Sequence, residues 1–166
     1  MKSLVRLAAL TAVCLTAALS PVLAENADGF QTLDGKDRSI ESYLGQGQWS
    51  VVMLWAHDCH VCNQEVEQYA QFHDDHAGKL AAVLGISIDG LEQREAAQRF
   101  VARHDLPFPS LIAETEVVMR WYRGQTGTRF LGTPTLLIYA PDGKLKAAQA
   151  GAVPAEAIEQ FIAENS

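Results

Sequence analysis

The chain has 166 residues, 13 lysines and arginines against 20 aspartates and glutamates, and a net charge of −7. That length suffices for one domain with its own apolar core and no need of disulfide staples. The acidic balance, with no Lys/Arg cluster, argues against nucleic-acid binding, which draws on cationic contacts to phosphate.

The first 24 residues, MKSLVRLAALTAVCLTAALSPVLA, carry Lys2 and Arg6, then an uncharged apolar run, then Pro21 and the small-residue ending Val22-Leu23-Ala24. This is the pattern of a bacterial export signal, with cleavage expected between Ala24 and Glu25. The alternative is a retained anchor that tethers the protein to the membrane, because residues 7–24 reach the lower length limit for crossing a bilayer. A lipoprotein signal fits less well, since Val13 precedes Cys14. Removing 24 residues leaves 142, with 11 basic against 20 acidic residues, a net charge of −9, and only two cysteines, Cys59 and Cys62. Residues 25–166 are expected to form a single domain.

Residues 25–48 are polar and turn-rich. Asp34-Gly35 signals a hairpin, and Ser39 with Ser42 and Tyr43 a short helix. WSVVMLW, residues 49–55, reads as a buried central strand. The cysteines follow it directly. Residues 63–79 read as a helix, with Val66, Tyr69, Ala70, Phe72 and His73 at helical spacing and Gly78 as its stop. A second buried strand covers 80–88. A second helix covers 91–105, with Leu91, Ala96, Ala97, Phe100 and Val101 on one side. LPFPS, 106–110, is a loop, 114–122 a third helix, and RGQTGTRFLG, 123–132, a Gly/Thr loop. Residues 135–139 form a third apolar strand, Pro-Asp-Gly turns into a fourth at 144–150, and Pro154 opens a last helix. A strand–helix–strand start calls for a right-handed crossover and a parallel pair, to which the later hairpin adds antiparallel strands. The expected fold is α/β, a small mixed sheet covered by helices on both faces.

WAHDCHVCNQE, residues 55–65, holds the chemistry. A bridge between Cys59 and Cys62 closes almost no loop, so its stabilising value is small. A lone tight pair in an oxidising compartment therefore points to redox chemistry. Cys59 falls where a strand ends and a helix begins, and unpaired helix N–H groups there stabilise a thiolate, the nucleophilic form. Cys62 lies a turn deeper and is placed to resolve. A protonated His60 favours the Cys59 thiolate, whereas Asp58 opposes it or caps the helix. Gly132-Thr133-Pro134-Thr135 is the second signal. A proline directly before a buried strand, downstream of a CxxC unit, reads as a cis-proline packed against the disulfide, with Thr133 offering backbone groups to an extended peptide.

Taken together these stretches resemble the TlpA/ResA-like branch of the thioredoxin superfamily, exported and often membrane-tethered thiol–disulfide oxidoreductases. FQTLDGK is similar to the family's N-terminal hairpin, VVMLWAHDCHVCNQE to its strand, redox centre and following glutamate, AAVLGISID with RFVARHDLPFP to its central insertion, and GTPTLLIYAPDGKL to its cis-proline strand and hairpin. The resemblance implies a thioredoxin-like fold, Cys59 as exposed nucleophile, Cys62 as buried partner, Glu65 assisting proton transfer and Pro134 as the cis-proline; Trp55, Asp58, His60 and Thr133, by their places beside the pair and the proline, are expected to tune the pair or touch the client. It implies no cofactor beyond the redox-active disulfide. It also implies client-protein disulfides as substrates, from apocytochrome c or metal-centre assembly among others, a membrane thiol donor of the DsbD or CcdA kind, and a periplasmic location. Several departures stand out. Asp58 replaces a usual Trp, Met53 a usual Asn or Asp, Val66-Glu67 the region of a usual proline, and His60-Val61 the usual proline-containing pair. Residues 122–132 exceed the family's usual link, which makes that loop a candidate for partner selection.

Rival readings remain. His57, Cys59, His60 and Cys62 include soft ligands suited to copper or zinc, though a closed zinc site needs four well-spaced ligands, and His73 with His76 could hold a metal on a helix face. A copper chaperone of thioredoxin-like fold is the main alternative. A disulfide oxidase or isomerase, a peroxiredoxin and a binding module with idle cysteines follow. The peroxiredoxin reading lacks the Pro and Thr expected before its cysteine.

Overall fold

The structure is a computed structural model that describes residues 28–166; the expected export signal lies outside them. The described residues form six strands and four α-helices. They are β1 (Gln31–Thr32), β2 (Trp49–Trp55), α1 (His60–His76), β3 (Ala81–Ser87), α2 (Arg94–Arg103), β4 (Ser110–Ile112), α3 (Thr115–Thr126), β5 (Thr135–Tyr139), β6 (Leu145–Ala150) and α4 (Ala155–Asn165). They build one sheet of order β1-β4-β3-β2-β5-β6. The mixed α/β expectation therefore holds.

β2 is central because every one of its residues is apolar or small enough to bury, and all seven are buried. Period-two alternation sends Trp49, Val51, Met53 and Trp55 to one face and Val52 and Leu54 to the other. The first face packs against Val66, Tyr69 and Phe72 of α1, Phe100 of α2, and Ile158 and Ile162 of α4. The second packs against Ile40 of a 3-10 turn and Val118 and Tyr122 of α3. β2 pairs in parallel with β3, Trp49 opposite Ala81 through Trp55 opposite Ser87, across the α1 crossover. It pairs antiparallel with β5, Leu54 opposite Thr135. The C-terminal end of β2 and the N-terminal end of β5 thus meet at one end of the sheet.

Four expectations need correction. The loop expected at 106–110 runs into β4, which pairs parallel with β3 and antiparallel with β1. The Asp34-Gly35 turn forms, with Thr32 N–H donating to the Lys36 carbonyl at 2.8 Å, but as a hairpin it makes only one bridge, Gln31 with Asp37. The lasting partner of β1 is β4. The first helix begins at His60, three residues before the expected start. The third helix runs on to Thr126, so the first four residues of the expected 123–132 loop are helical, and the loop begins at Gly127, whose φ of +71° closes the helix in the left-handed region.

Candidate active site

β2 delivers the chain to a turn at residues 56–58, where Cys59 N–H donates to the Ala56 carbonyl at 3.2 Å. Cys59 is the N-cap of α1, and its sulfur accepts the Cys62 N–H at 3.1 Å. This removes the cap role considered for Asp58, because the cysteine itself occupies the cap position and Asp58 stands outside the helix, exposed. Cys59 and Cys62 form a disulfide with Cα atoms 5.2 Å apart. Cys59 is half-buried, while Cys62 is fully buried in the cluster that holds Met53, Trp55 and Val66.

The turn is held from two sides. On one side Asn63 reaches back from α1. Its amide donates to the carbonyls of His57 at 3.2 Å and Cys59 at 2.9 Å, and its oxygen accepts Arg103 Nη1 at 3.3 Å. On the other side Asp89, just past β3, accepts the His57 backbone N–H at 3.1 Å and pairs with His57 Nδ1 at 2.8 Å, while the Ser87 hydroxyl donates to it at 2.6 Å. The Asp89 side chain is only 4% exposed, and that of His57 is 34%. Sequence reading had no signal for Asn63, Ser87 or Asp89 beyond their polar character, because the contacts of Asn63 and Asp89 reach up to 41 residues along the chain.

The Thr133–Pro134 peptide is cis. The Leu54–Thr135 register sets it at the sheet end where Cys59 lies. Pro134 is buried, its carbonyl accepts Gly151 N–H at 2.8 Å, and the Thr135 hydroxyl donates to Gly132 O at 2.6 Å. Val61, between the two cysteines, is 40% exposed, and Leu131, three residues before Pro134, is 73% exposed. His60 and Asp58 are exposed, Thr133 half-buried.

The remaining candidates are placed as follows. Trp55 is fully buried and stacked on Phe100 with ring centroids 4.3 Å apart; with no free surface it cannot touch a client, which corrects that part of its expected role. Glu65 accepts a hydrogen bond from Gln68, whose own oxygen accepts Ala155 N–H at 2.7 Å. Met53 is fully buried and brings no titratable group to the core under the disulfide.

The metal set of His57, Cys59, His60 and Cys62 is not assembled here: the two sulfurs are bonded to each other and His57 Nδ1 faces Asp89. Among the described residues, His57, Asp58 and Asp89 bring ligand atoms within 4.8 Å of one another, but Asp89 is already occupied by the turn and Ser87. His73 and His76 diverge. His73 Nδ1 accepts the Val83 N–H at 3.0 Å, and His76 Nε2 pairs with Glu159 at 2.9 Å.

No curated protein matches the chain. Solved structures do. A thioredoxin-family thiol:disulfide interchange protein from Chlorobium tepidum is 21% identical with a TM-score of 0.67, over 80% of this chain and 88% of that one. A secreted Mycobacterium tuberculosis disulfide oxidoreductase, described as homologous to E. coli DsbE, is 22% identical at 0.64, over 81% and 92%. The dsbF protein of M. tuberculosis, seen in mixed oxidised and reduced forms, is 25% identical at 0.64, over 82% and 92%. These likenesses establish the thioredoxin-like fold. Matched by the AhpC/TSA family over residues 23–148, the chain belongs to that family, and its paired cysteines make it a thiol–disulfide oxidoreductase of the thioredoxin superfamily.

Proposed function

We propose that the protein is a TlpA/ResA-like reductase of specific client disulfides, exported to the periplasm and recharged by a membrane dithiol donor of the DsbD or CcdA kind. The observation that carries this reading is the Cys59–Cys62 disulfide at a helix N-cap, half-buried at its first sulfur and fully buried at its second. In the reduced protein the Cys59 thiolate, stabilised by the Cys62 N–H, attacks one sulfur of a client disulfide. A Cys59–client bond forms, the client S–S bond breaks, and the client's other sulfur leaves as a thiolate. Cys62 loses its proton and its thiolate attacks Cys59 Sγ. The disulfide closes and the client's second thiolate departs. Two electrons pass from the dithiol to the client, which gains two protons, and the donor dithiol returns two electrons to Cys59–Cys62. Pro134 and Thr133 border the path of an extended client, His60 and Asp58 tune the first thiol, Glu65 is a secondary proton carrier, and the disulfide is the only redox group required.

A Cys62→Ser variant tests the mechanism. It is expected to accumulate a covalent mixed disulfide with client peptides, resolvable on non-reducing gels, while Cys59→Ser accumulates none. Absence of any adduct alongside wild-type turnover rules the scheme out. Rapid peroxide consumption by the reduced protein, with no reduction of client peptides, moves the assignment to a peroxidase.

A further inference from the structure

We propose that the groove between α3 and the segment that follows it docks an acidic stretch of the client polypeptide. This rests on the client-reductase reading above. Met119, Arg120, Arg123, Gly127, Arg129 and Phe130 line a cavity of about 460 Å³. Its three arginines are exposed, and none forms an ion pair among the described residues. Three of the chain's 13 basic residues thus gather unpaired on one groove of a molecule with a net charge of −7.

The groove is built rather than incidental. Arg120 and Arg123 sit three residues apart on α3 and so share a face. The chain then reverses at Gly127, whose N–H donates to the Arg123 carbonyl at 2.8 Å. The Thr126 hydroxyl donates to the Tyr122 carbonyl at 2.9 Å and accepts Thr128 N–H at 3.1 Å. Phe130 packs edge-on against Tyr122, centroids 5.4 Å apart. Arg129 is thereby carried back toward the two helix arginines by a backbone turn that is already formed before binding.

The occupant follows from chemistry and position. Guanidinium groups take carboxylates in two-point hydrogen bonds, and Met119, 39% exposed, adds apolar surface that a peptide covers and a bare anion does not. The general negative charge of the molecule disfavours a polyanion such as nucleic acid. From Phe130 the chain runs through exposed Leu131 to the cis peptide at Thr133–Pro134, a span of at most about 14 Å. A client cysteine at Cys59 can therefore place acidic residues a few positions away in the groove.

The test uses two disulfide-bonded peptides, alike but for an Asp/Glu flank replaced by Asn/Gln, reduced by the wild type and by an Arg120→Gln, Arg123→Gln, Arg129→Gln variant. The wild type is expected to favour the acidic peptide by roughly tenfold in kcat/KM, through KM, with the preference fading in salt. The variant is expected to lose that preference and keep the neutral-peptide rate. Equal rates with both peptides in the wild type, or an unchanged preference in the variant, overturn the docking proposal alone. Failure to reduce either peptide overturns the reductase reading instead. In that event a cysteine-free, fluorescently labelled acidic peptide reads the groove directly: binding to the wild type and not to the variant supports the proposal. No binding, or displacement by inorganic phosphate at equal concentration, refutes it.

Discussion

Asp89 holds the turn that presents Cys59, and the cost of losing it can be separated from the cost of losing surface charge. Its nearly buried carboxylate accepts from the His57 backbone, the His57 ring and the Ser87 hydroxyl. Asp89→Asn leaves an amide group facing donors, so stability is expected to drop by about 1–3 kcal/mol in urea unfolding. Asp58→Asn, one residue from Cys59 but exposed, is expected to stay within about 0.5 kcal/mol. Equal effects from the two would mean that Asp89 is not structural. His73 gives a pH signature of its own. Burial pushes its pKa below the ordinary 6.5, and its Nδ1 must be unprotonated to accept the Val83 N–H. Between the lowered native value and 6.5 the unfolded chain binds the extra proton, so stability rises with pH through that window. The contribution is complete above 6.5 and is lost as pH falls through the native value. His73→Asn keeps an acceptor near the Nδ1 position without titrating. Its Tm is expected to fall less than that of the wild type between about pH 7 and pH 5, and parallel curves would contradict this account.

At the scale of elements, the sequence reveals what local pattern dictates and hides what partners dictate. β2 was legible to the residue because a run of seven apolar or small residues, short and rich in β-branched and aromatic side chains, favours a fully buried strand. Cys59 and Cys62 were legible because strand end, CxxC and helix start coincide. β4 was not, since a three-residue strand exists only through its pairing with β3 and β1, and the prolines before it read as loop. The last turn of α3 was hidden by Gly124, which pattern reading takes as a breaker although an exposed helix tolerates it. The β3–β4 contact can be probed at Gly85. A Cβ there would stand 2.7 Å from Ser110 Oγ and 2.9 Å from Trp55 Nε1, and the surrounding packing leaves little room to shift. Gly85→Ala is expected to cost about 1–3 kcal/mol. Among the described residues Ser110 Oγ is buried without a hydrogen-bond partner, so Ser110→Ala is expected to be neutral or mildly stabilising. A loss above about 1 kcal/mol for Ser110→Ala would show that its hydroxyl is satisfied.

For the whole molecule the open quantity is the direction in which electrons run, and folding stability can decide it. The oxidised and reduced chains form a thermodynamic cycle with their unfolded states. Whichever redox state folding favours, the folded couple is shifted toward that state relative to the unfolded CxxC. Because the bridge closes only two intervening residues, it restrains the unfolded chain little, and the stability difference reports the native environment of the sulfurs. Two features of that environment oppose each other. The helix N–H on Cys59 Sγ favours the thiolate and so the reduced form. The fully buried apolar seat of Cys62, with Met53 beneath it, disfavours a charged or unpaired thiol and so favours the disulfide. A reductase needs the second to prevail. The oxidised protein is therefore expected to be the more stable by roughly 1–3 kcal/mol in urea, with about 1.4 kcal/mol corresponding to 30 mV. The couple is then expected to equilibrate with dithiothreitol near or below about −270 mV. A reduced form more stable than the oxidised, with a potential approaching about −120 mV, would reverse the direction and make the protein a donor of disulfides to its clients.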